Sequence, residues 1–468
     1  MTADQSAPRS AQTVVLGLGR SGLGAARLLN QRGHAVVVLD SGNSAEHQRK
    51  ANLLRQEGIS VLLERPLELS SFEDLQGTPE RVIVSPGIRW DHPTLTALRR
   101  QGIRTDGEIT TAWEASRPVP WIGITGTNGK TTVTHLVAHL LKAAGLDAPM
   151  CGNVGHSAAE LTLERLQDLP AWMVVELSSY QIESAPALAP QVGIWTTLTP
   201  DHLERHGTLD NYRAIKRSLL ERSRVRILNA DDPDLASRAA SWDEARWITA
   251  TDGSQARSQG ITPWLWIEAG QVMQAEGAVL DASALAMPGA HNRQNMLMAV
   301  AACLELGLSG PCMEAALRAF PGVPHRLELI RELQGIRWVN DSKATNYDAA
   351  EVALNAMEGP LVVLAGGESK QGDASGWIEA LTKKAAAVVL FGAAQTEFGQ
   401  MLELAGFPGV VERHGDLSAA VAEAQNLAQQ LSCRAVLLSP ACASFDQYSD
   451  FEARGEHFRT LVQSLQAV

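Results

Sequence analysis

The chemically richest stretch of the chain is Gly123-Ile124-Thr125-Gly126-Thr127-Asn128-Gly129-Lys130-Thr131-Thr132, a glycine-rich turn ending in a lysine and two hydroxyls. In such a turn successive backbone N–H groups cradle phosphate oxygens, the lysine reaches the terminal phosphates, and the next hydroxyl can ligate magnesium. Gly123 lies one residue too far upstream for the strict P-loop spacing. A purely structural turn, however, would explain the glycines and leave Lys130 and Thr131 without a purpose. Two further segments, ELSSYQ (176–181) and TPDHLERHG (199–207), supply Glu176 and His202. Glu176 ends an apolar strand, where a carboxylate is costly unless it is paired or bound to metal. His202 lies just past the next strand, so beside a phosphate loop the two point to a magnesium site. A third segment, GLGRSG (17–22), follows a strand and opens a helix, and Asp40 closes the next strand. That spacing reads as a pyrophosphate cradle with a carboxylate for a ribose hydroxyl. It leaves open whether the ligand is a dinucleotide such as NAD.

These groups need a scaffold, and the chain alternates short apolar strands with amphipathic helical stretches, the pattern of α/β architecture with mainly parallel sheets. Near the start, residues 13–16 read as a strand, 23–32 as a helix and Ala35–Leu39 as a second strand. RVIVSPGI (81–88) is another strand-to-turn unit. RPVP (117–120) interrupts the pattern, and PGVPHR (321–326) interrupts it again. Between them lie the strands of WMVVELSS, QVGIWTTLT and VRILNADD and a Trp-rich, more β-like stretch at 242–285. Beyond the second break come GIRWVNDS, PLVVLAGG, AAVVLFG and RAVLLSPA. The expectation is three α/β domains: 1–116 (Rossmann-like), 117–321 (with the P-loop) and 322–468 (Rossmann-like).

The composition agrees with three folded domains: 468 residues, 45 % hydrophobic and 20 % charged. A net charge of −12 argues against binding a nucleic-acid backbone. The five cysteines form no C-x-x-C pair, which speaks against a disulfide framework or structural zinc. The polar start MTADQSAPRS lacks the apolar core of a secretory signal. No apolar run reaches the ~18 residues of a membrane helix. A cytoplasmic protein without membrane or nucleic-acid partners is expected.

Taken together, GITGTNGKTT, ELSSYQ, TPDHLERHG and the following YRAIK resemble the Mur ligases, a family that includes folylpolyglutamate synthases. The resemblance continues through HNRQN (291–295), PHR (324–326), NDSKATN (340–346) and SPACASFDQYSDFEARG (439–455), so it spans all three expected domains. NDSKATN and the last motif are most similar to the branch that adds D-glutamate to UDP-N-acetylmuramoyl-L-alanine. The absence of DNPR argues against the diaminopimelate- or lysine-adding branch.

The resemblance implies ATP, two Mg²⁺ ions, the sugar nucleotide and D-glutamate as ligands of a monomeric enzyme. It reassigns the first glycine loop to UDP, with Gly19, Arg20, Ser21, Asp40 and Ser41 at the nucleotide and Asn153 and His202 toward the sugar. Gly126, Thr127, Asn128, Gly129, Lys130, Thr131 and Thr132 would hold the ATP phosphates, with Asn292, Asn295, Arg326 and Asp341 around the rest of the nucleotide. Thr131 and Glu176 would hold the first Mg²⁺, and His202 and Lys216 the second, Lys216 as a carbamate. Lys130, His202 and Lys216 are thus the implied catalytic residues. Without the family, Lys216 reads as a solvated helix lysine, Asn292 as a helix cap, and Asn295, Arg326 and Asp341 as surface polar groups. Lys343, Thr345, Lys370, Ser444, Phe445 and Phe451 would line the amino-acid pocket, although both phenylalanines also read as core. Glu368 stands where relatives often carry aspartate. The implied reaction runs through an acyl phosphate and a tetrahedral intermediate. Outside this branch stand another Mur-type ligase, an NAD-dependent oxidoreductase and a non-catalytic P-loop switch.

Overall fold

The structure is a computed structural model that describes residues 12–73, 75, 77–287, 289–369 and 372–466. The chain divides into two compact units, Met1–Phe320 and Pro321–Val468. The first contains a five-stranded sheet of β1 (Gln12–Leu16), β2 (Ala35–Leu39), β3 (Ser60–Leu62), β4 (Arg81–Val84) and β5 (Arg104–Gly107), in the order β3-β2-β1-β4-β5. Every pairing is parallel. Alternate residues pack on opposite faces, with Val15, Val38 and Ile83 in one core and Val14, Val37 and Val82 in another. Two buried faces explain why these strands read as continuous apolar runs. The strand order reverses beside β1, which opens a crevice at the strands' C-terminal ends.

A second sheet follows: β6 (Trp121–Thr125), β7 (Met150–Gly152), β8 (Met173–Glu176), β9 (Val192–Trp195), β10 (Val225–Asn229) and β11 (Arg246–Ile248), ordered β11-β10-β9-β6-β8-β7 and parallel throughout. The P-loop strand β6 thus lies between β8, which ends in Glu176, and β9, which leads to His202. Register places Ile124 opposite Glu176 and Thr125 opposite Trp195, so the three chemical segments emerge together at the carboxyl ends of adjacent parallel strands. The Trp-rich stretch carries β11 and an antiparallel three-stranded sheet of β12 (Trp266–Glu268), β13 (Gln271–Gln274) and β14 (Gly277–Asp281).

The second unit is a six-stranded sheet of β15 (Glu328–Leu333), β16 (Ile336–Asn340), β17 (Leu361–Gly366), β18 (Ala385–Phe391), β19 (Val410–His414) and β20 (Ala435–Leu438), in the order β15-β16-β20-β17-β18-β19. Only β15 is antiparallel, joined to β16 as a hairpin. The mainly parallel α/β architecture is the one expected. One boundary differs from expectation, because the first helix is Arg20–Gln31 and begins inside the glycine motif. Gly22 therefore lies within a helical turn, where a Cβ would come 2.0 Å from the Gly17 carbonyl oxygen.

Candidate active site

The loop after β6 is shaped by contacts that only glycine tolerates at two positions. Gly126 has φ +148°, and a Cβ there would lie 1.9 Å from Thr196 Oγ1. Gly129, at φ +86°, caps the helix Lys130–Ala143, and a Cβ there would lie 2.5 Å from Asn295 Oδ1. Thr196 and Thr197, just past β9, support the loop from below. Thr196 Oγ1 donates to the Asn128 carbonyl, and the Asn128 N–H donates to Thr197 Oγ1 at 2.9 Å. Lys130 Nζ donates to the Gly126 and Thr127 carbonyls at 2.9 and 2.8 Å, so its charge is held over the turn. Thr131 and Thr132 are buried in the first helical turn. A glycine turn feeding a helix N-terminus is a phosphate cradle.

Glu176 is buried beside this loop. Its Oε1 accepts from Asn153 Nδ2 at 3.0 Å, while its Oε2 is buried with no partner among the described residues. A buried carboxylate oxygen left over in this way suits a hard cation. Among the described residues, no three His, Cys, Asp or Glu side chains form a ready metal cage. One carboxylate and one hydroxyl fit Mg²⁺, which commonly binds through few protein groups plus substrate phosphates.

Lys216 is not the solvated lysine that periodicity suggests, being 1 % exposed. Its Nζ donates to the Gly126 carbonyl at 2.9 Å and to Thr125 Oγ1 at 3.3 Å, and it lies 4.5 Å from the centre of the Tyr212 ring. Burial, reinforced by the Lys130 charge, drives its pKa well below the ordinary lysine value. Tyr212 is hydrogen-bonded to Thr127 Oγ1 at 3.3 Å, and burial pushes its phenol up to about 12. His206 Nε2 is 2.9 Å from Ser179 Oγ, and burial pushes that imidazole down to about 4, so it is neutral at physiological pH. His202 has a left-handed backbone (φ +52°), and its ring lies 5.2 Å from that of Tyr180.

One cavity of about 650 Å³ gathers Gly19, Arg20, Ser21, Lys130, Asn153, His202 and Lys216. Sequence reasoning passed over other lining residues: Ser85-Pro86-Gly87, Tyr180, Asp201 and Tyr212. The turn after β4 was the available signal for the first three. Arg20 donates to the Gly155 carbonyl at 2.7 Å. Asp40 and Ser41 are not among the cavity lining. The Asp40 carboxylate accepts from the Leu18 and Gly42 N–H groups, both at 2.7 Å, and so ties the first loop to the second. Ser41 is exposed.

Asn292 and Asn295 are both buried on the helix Ala290–Glu305, and Asn295 Nδ2 donates to Asn292 Oδ1 at 3.4 Å. Gly289, not Asn292, is the cap of that helix. In the second unit Asp341, expected at the surface, is buried; it accepts from Ser439 Oγ at 3.0 Å and from the Leu327 N–H at 3.2 Å. Burial pushes its carboxyl up to about 7. Arg326 is exposed and Thr345 half-buried. Lys343 Nζ lies 5.4 Å from the Phe451 ring centre, and Ser444 is buried. Phe445 is 69 % exposed, so it is not a core residue. Lys370 lies outside the described residues. Glu368 joins the loop after β17 to Ala443 through two backbone hydrogen bonds of 2.9 and 3.0 Å. Arg454, which sequence reasoning did not single out, is fully buried and donates to the Ser342, Cys442 and Ala443 carbonyls at 2.9, 3.0 and 3.1 Å. It thereby holds the loops that carry Lys343 and Ser444.

A nucleotide-type crevice and a P-loop with a metal-ready carboxylate define an α/β protein built to bind phosphorylated ligands, and the comparisons give its family. Residues 11–107 match the Mur ligase MurD-like N-terminal domain, 124–303 the Mur ligase middle domain, and 325–442 the Mur ligase glutamate ligase domain. The chain belongs to the Mur ligases. It is 55 % identical to the UDP-N-acetylmuramoylalanine--D-glutamate ligase of Synechococcus sp., over 97 % of this chain and 99 % of the relative. It is 56 % identical to the enzyme of the same name from Prochlorococcus marinus, again over 97 % and 99 %. The solved UDP-N-acetylmuramate-alanine ligase of Thermotoga maritima shares the fold, with a TM-score of 0.58 at 20 % identity, covering 97 % of this chain and 99 % of that one. A pseudomurein peptide ligase from Methanothermus fervidus does so with a TM-score of 0.55 at 19 % identity, covering 98 % and 100 %. Family membership removes the oxidoreductase and switch readings of the glycine loops.

Proposed function

We propose that the protein is the ATP- and Mg²⁺-dependent ligase that joins D-glutamate to the L-alanyl carboxylate of UDP-N-acetylmuramoyl-L-alanine, in peptidoglycan precursor synthesis. The observation that carries this reading is identity of 55 % along nearly the whole length of a relative bearing that name. The alanyl carboxylate oxygen attacks the γ-phosphorus and ADP leaves. The neutral glutamate amine then attacks the acyl-phosphate carbonyl, the nitrogen gives up a proton, and phosphate leaves the tetrahedral intermediate as hydrogen phosphate. Mg²⁺ held by Thr131 and Glu176 would supply neutralisation of phosphate charge. Lys130 and the helix N-terminus behind it hold the phosphates, Thr131 and Glu176 take one Mg²⁺, and Arg20 with Ser21 takes the diphosphate.

The buried, weakly basic amine of Lys216 supports two finer parts of the proposal. A deprotonated amine can add CO₂ with release of one N–H proton to solvent, and the resulting carbamate would be an oxygen ligand in place of a repelling cation, able with His202 to hold a second Mg²⁺. The division of labour is 1–116 for UDP, 117–321 for ATP and 322–468 for glutamate, whose carboxylates Lys343 and Lys370 would pair. A cytoplasmic monomer completes the reading, since ATP and a nucleotide sugar are cytoplasmic substrates. No helix among the described residues is long and apolar enough to cross a membrane.

Phosphate release with UDP-N-acetylmuramoyl-L-alanine, ATP and Mg²⁺ across a panel of amino acids tests the assignment. D-Glutamate should stimulate release most strongly. No stimulation by D-glutamate overturns the proposal, and stimulation by a different amino acid moves the protein within its family.

A further inference from the structure

Glu108 belongs to no site described above. It opens the helix Glu108–Ala115 immediately after β5, is 1 % exposed, and accepts through Oε1 from the Ala159 N–H at 2.5 Å. Its other oxygen, Oε2, is buried with no partner among the described residues. Ala159 lies in the first turn of the helix Ala158–Glu164, directly behind the turn that closes one side of the cavity. That turn is tied to the site at three points. The Asn153 N–H donates to the Glu176 carbonyl at 2.9 Å, Asn153 Nδ2 donates to Glu176 Oε1 at 3.0 Å, and Gly155 accepts from Arg20 at 2.7 Å. Gly24 lets the first helix lie flush against the same turn, since a Cβ there would sit 2.7 Å from Ser157 Oγ.

The neighbouring residue grips a second wall. The Gly107 N–H donates to the Ser184 carbonyl at 2.6 Å, and a Cβ on Gly107 would come 2.2 Å from Ser184 Oγ. Ser184 ends the helix Ser179–Glu183, whose first residues, Ser179 to Gln181, line the cavity. The end of the first sheet's edge strand therefore clasps both walls that the second sheet contributes.

We propose that Glu108 is a positioning residue for the sugar-nucleotide and metal end of the cavity, acting through the 152–157 turn to hold Asn153 on the Glu176 carboxylate and Gly155 against Arg20. The inference rests on the ligase reading. A buried N–H that loses its acceptor is costly, and the turn it anchored loosens.

The test compares Glu108→Ala, which removes the acceptor, with Glu108→Gln, which keeps it. Calorimetry with UDP-N-acetylmuramoyl-L-alanine should show the alanine variant, which leaves the buried Ala159 N–H without an acceptor, weakened by about tenfold and the glutamine variant close to wild type. The Mg²⁺ concentration for half-maximal turnover should rise in parallel, while the KM for D-glutamate stays unchanged. Hydrogen exchange at residues 153–160 should quicken in the alanine variant alone. Wild-type sugar-nucleotide affinity in Glu108→Ala overturns the proposal, as does equal impairment of both variants or an equal loss for D-glutamate. If the alanine variant does not fold, Glu108→Asp, whose carboxylate is one methylene shorter, must show the same split, and wild-type affinity there overturns it. Failure of the wild-type chain to bind the sugar nucleotide strikes the ligase reading instead.

Discussion

Replacing Glu108 by glutamine should change the stability of the first unit more favourably at pH 8 than at pH 5. Burial raises this carboxyl from its ordinary 4.5 to about 7, against the opposing pull of the Ala159 N–H and Arg20 and with the help of Glu160. The neighbouring Cys151 thiol is itself pushed far up and stays uncharged across this range. At about 1.4 kcal/mol per pKa unit, the ionised side chain is some 3 kcal/mol less comfortable in the fold than in the unfolded chain. Between pH 4.5 and 7 the native state binds more protons than the unfolded one, so this contribution to stability falls as pH rises and levels off above 7. Glutamine does not titrate, yet its Oε1 still accepts from Ala159. The stability change caused by Glu108→Gln should therefore be about 2–3 kcal/mol more favourable at pH 8 than at pH 5. Costs of the amide that do not depend on pH cancel in that comparison. Urea unfolding followed by tryptophan fluorescence reads it, because Trp113 lies on the Glu108 helix with its ring 5.2 Å from that of Trp121. An equal change at both pH values, or a more favourable one at pH 5, would refute the reasoning.

Two further substitutions probe the phosphate loop. Gly126→Ala forces a side chain into a left-handed position against Thr196, and ATP affinity measured by equilibrium dialysis should fall at least about tenfold; wild-type affinity would show that the loop yields. Lys216→Ala should abolish phosphate release, with partial recovery in added formate or acetate, and a wild-type rate would remove the carbamate role.

Much of the site was legible because its parts are contiguous. A phosphate loop needs a strand, a glycine turn and a helix N-terminus in immediate succession, so GITGTNGKTT carries its own geometry. The same holds for the first glycine loop, although the ligand it implied was decided by family resemblance rather than by the turn. Strand positions were clear where both sheet faces are buried, as in β1, β2 and β17. They were hidden in β5 (RTDG), β15 (ELIREL) and β19 (VVERH), which are short or carry charge at several positions and so lack an apolar run.

Other assignments depended on neighbours far away in the chain. Lys216 sits on a helix of mixed polarity, and its burial follows from packing that face on Gly126, 90 positions earlier. Asn295 reads as a surface amide until the helix Ala290–Glu305 sets it against Gly129. Arg454 looks like any charged helix residue until three carbonyls from two loops converge on its guanidinium. Glu108 looks like an acidic residue favouring a helix N-terminus, and only the docking of a second helix turns it into a buried acceptor. Residue type and short-range spacing settle which backbone turns form and what they can cradle. Which side chains lose their water, and hence their ordinary charge, is settled by distant segments closing over them, and no local pattern encodes that desolvation.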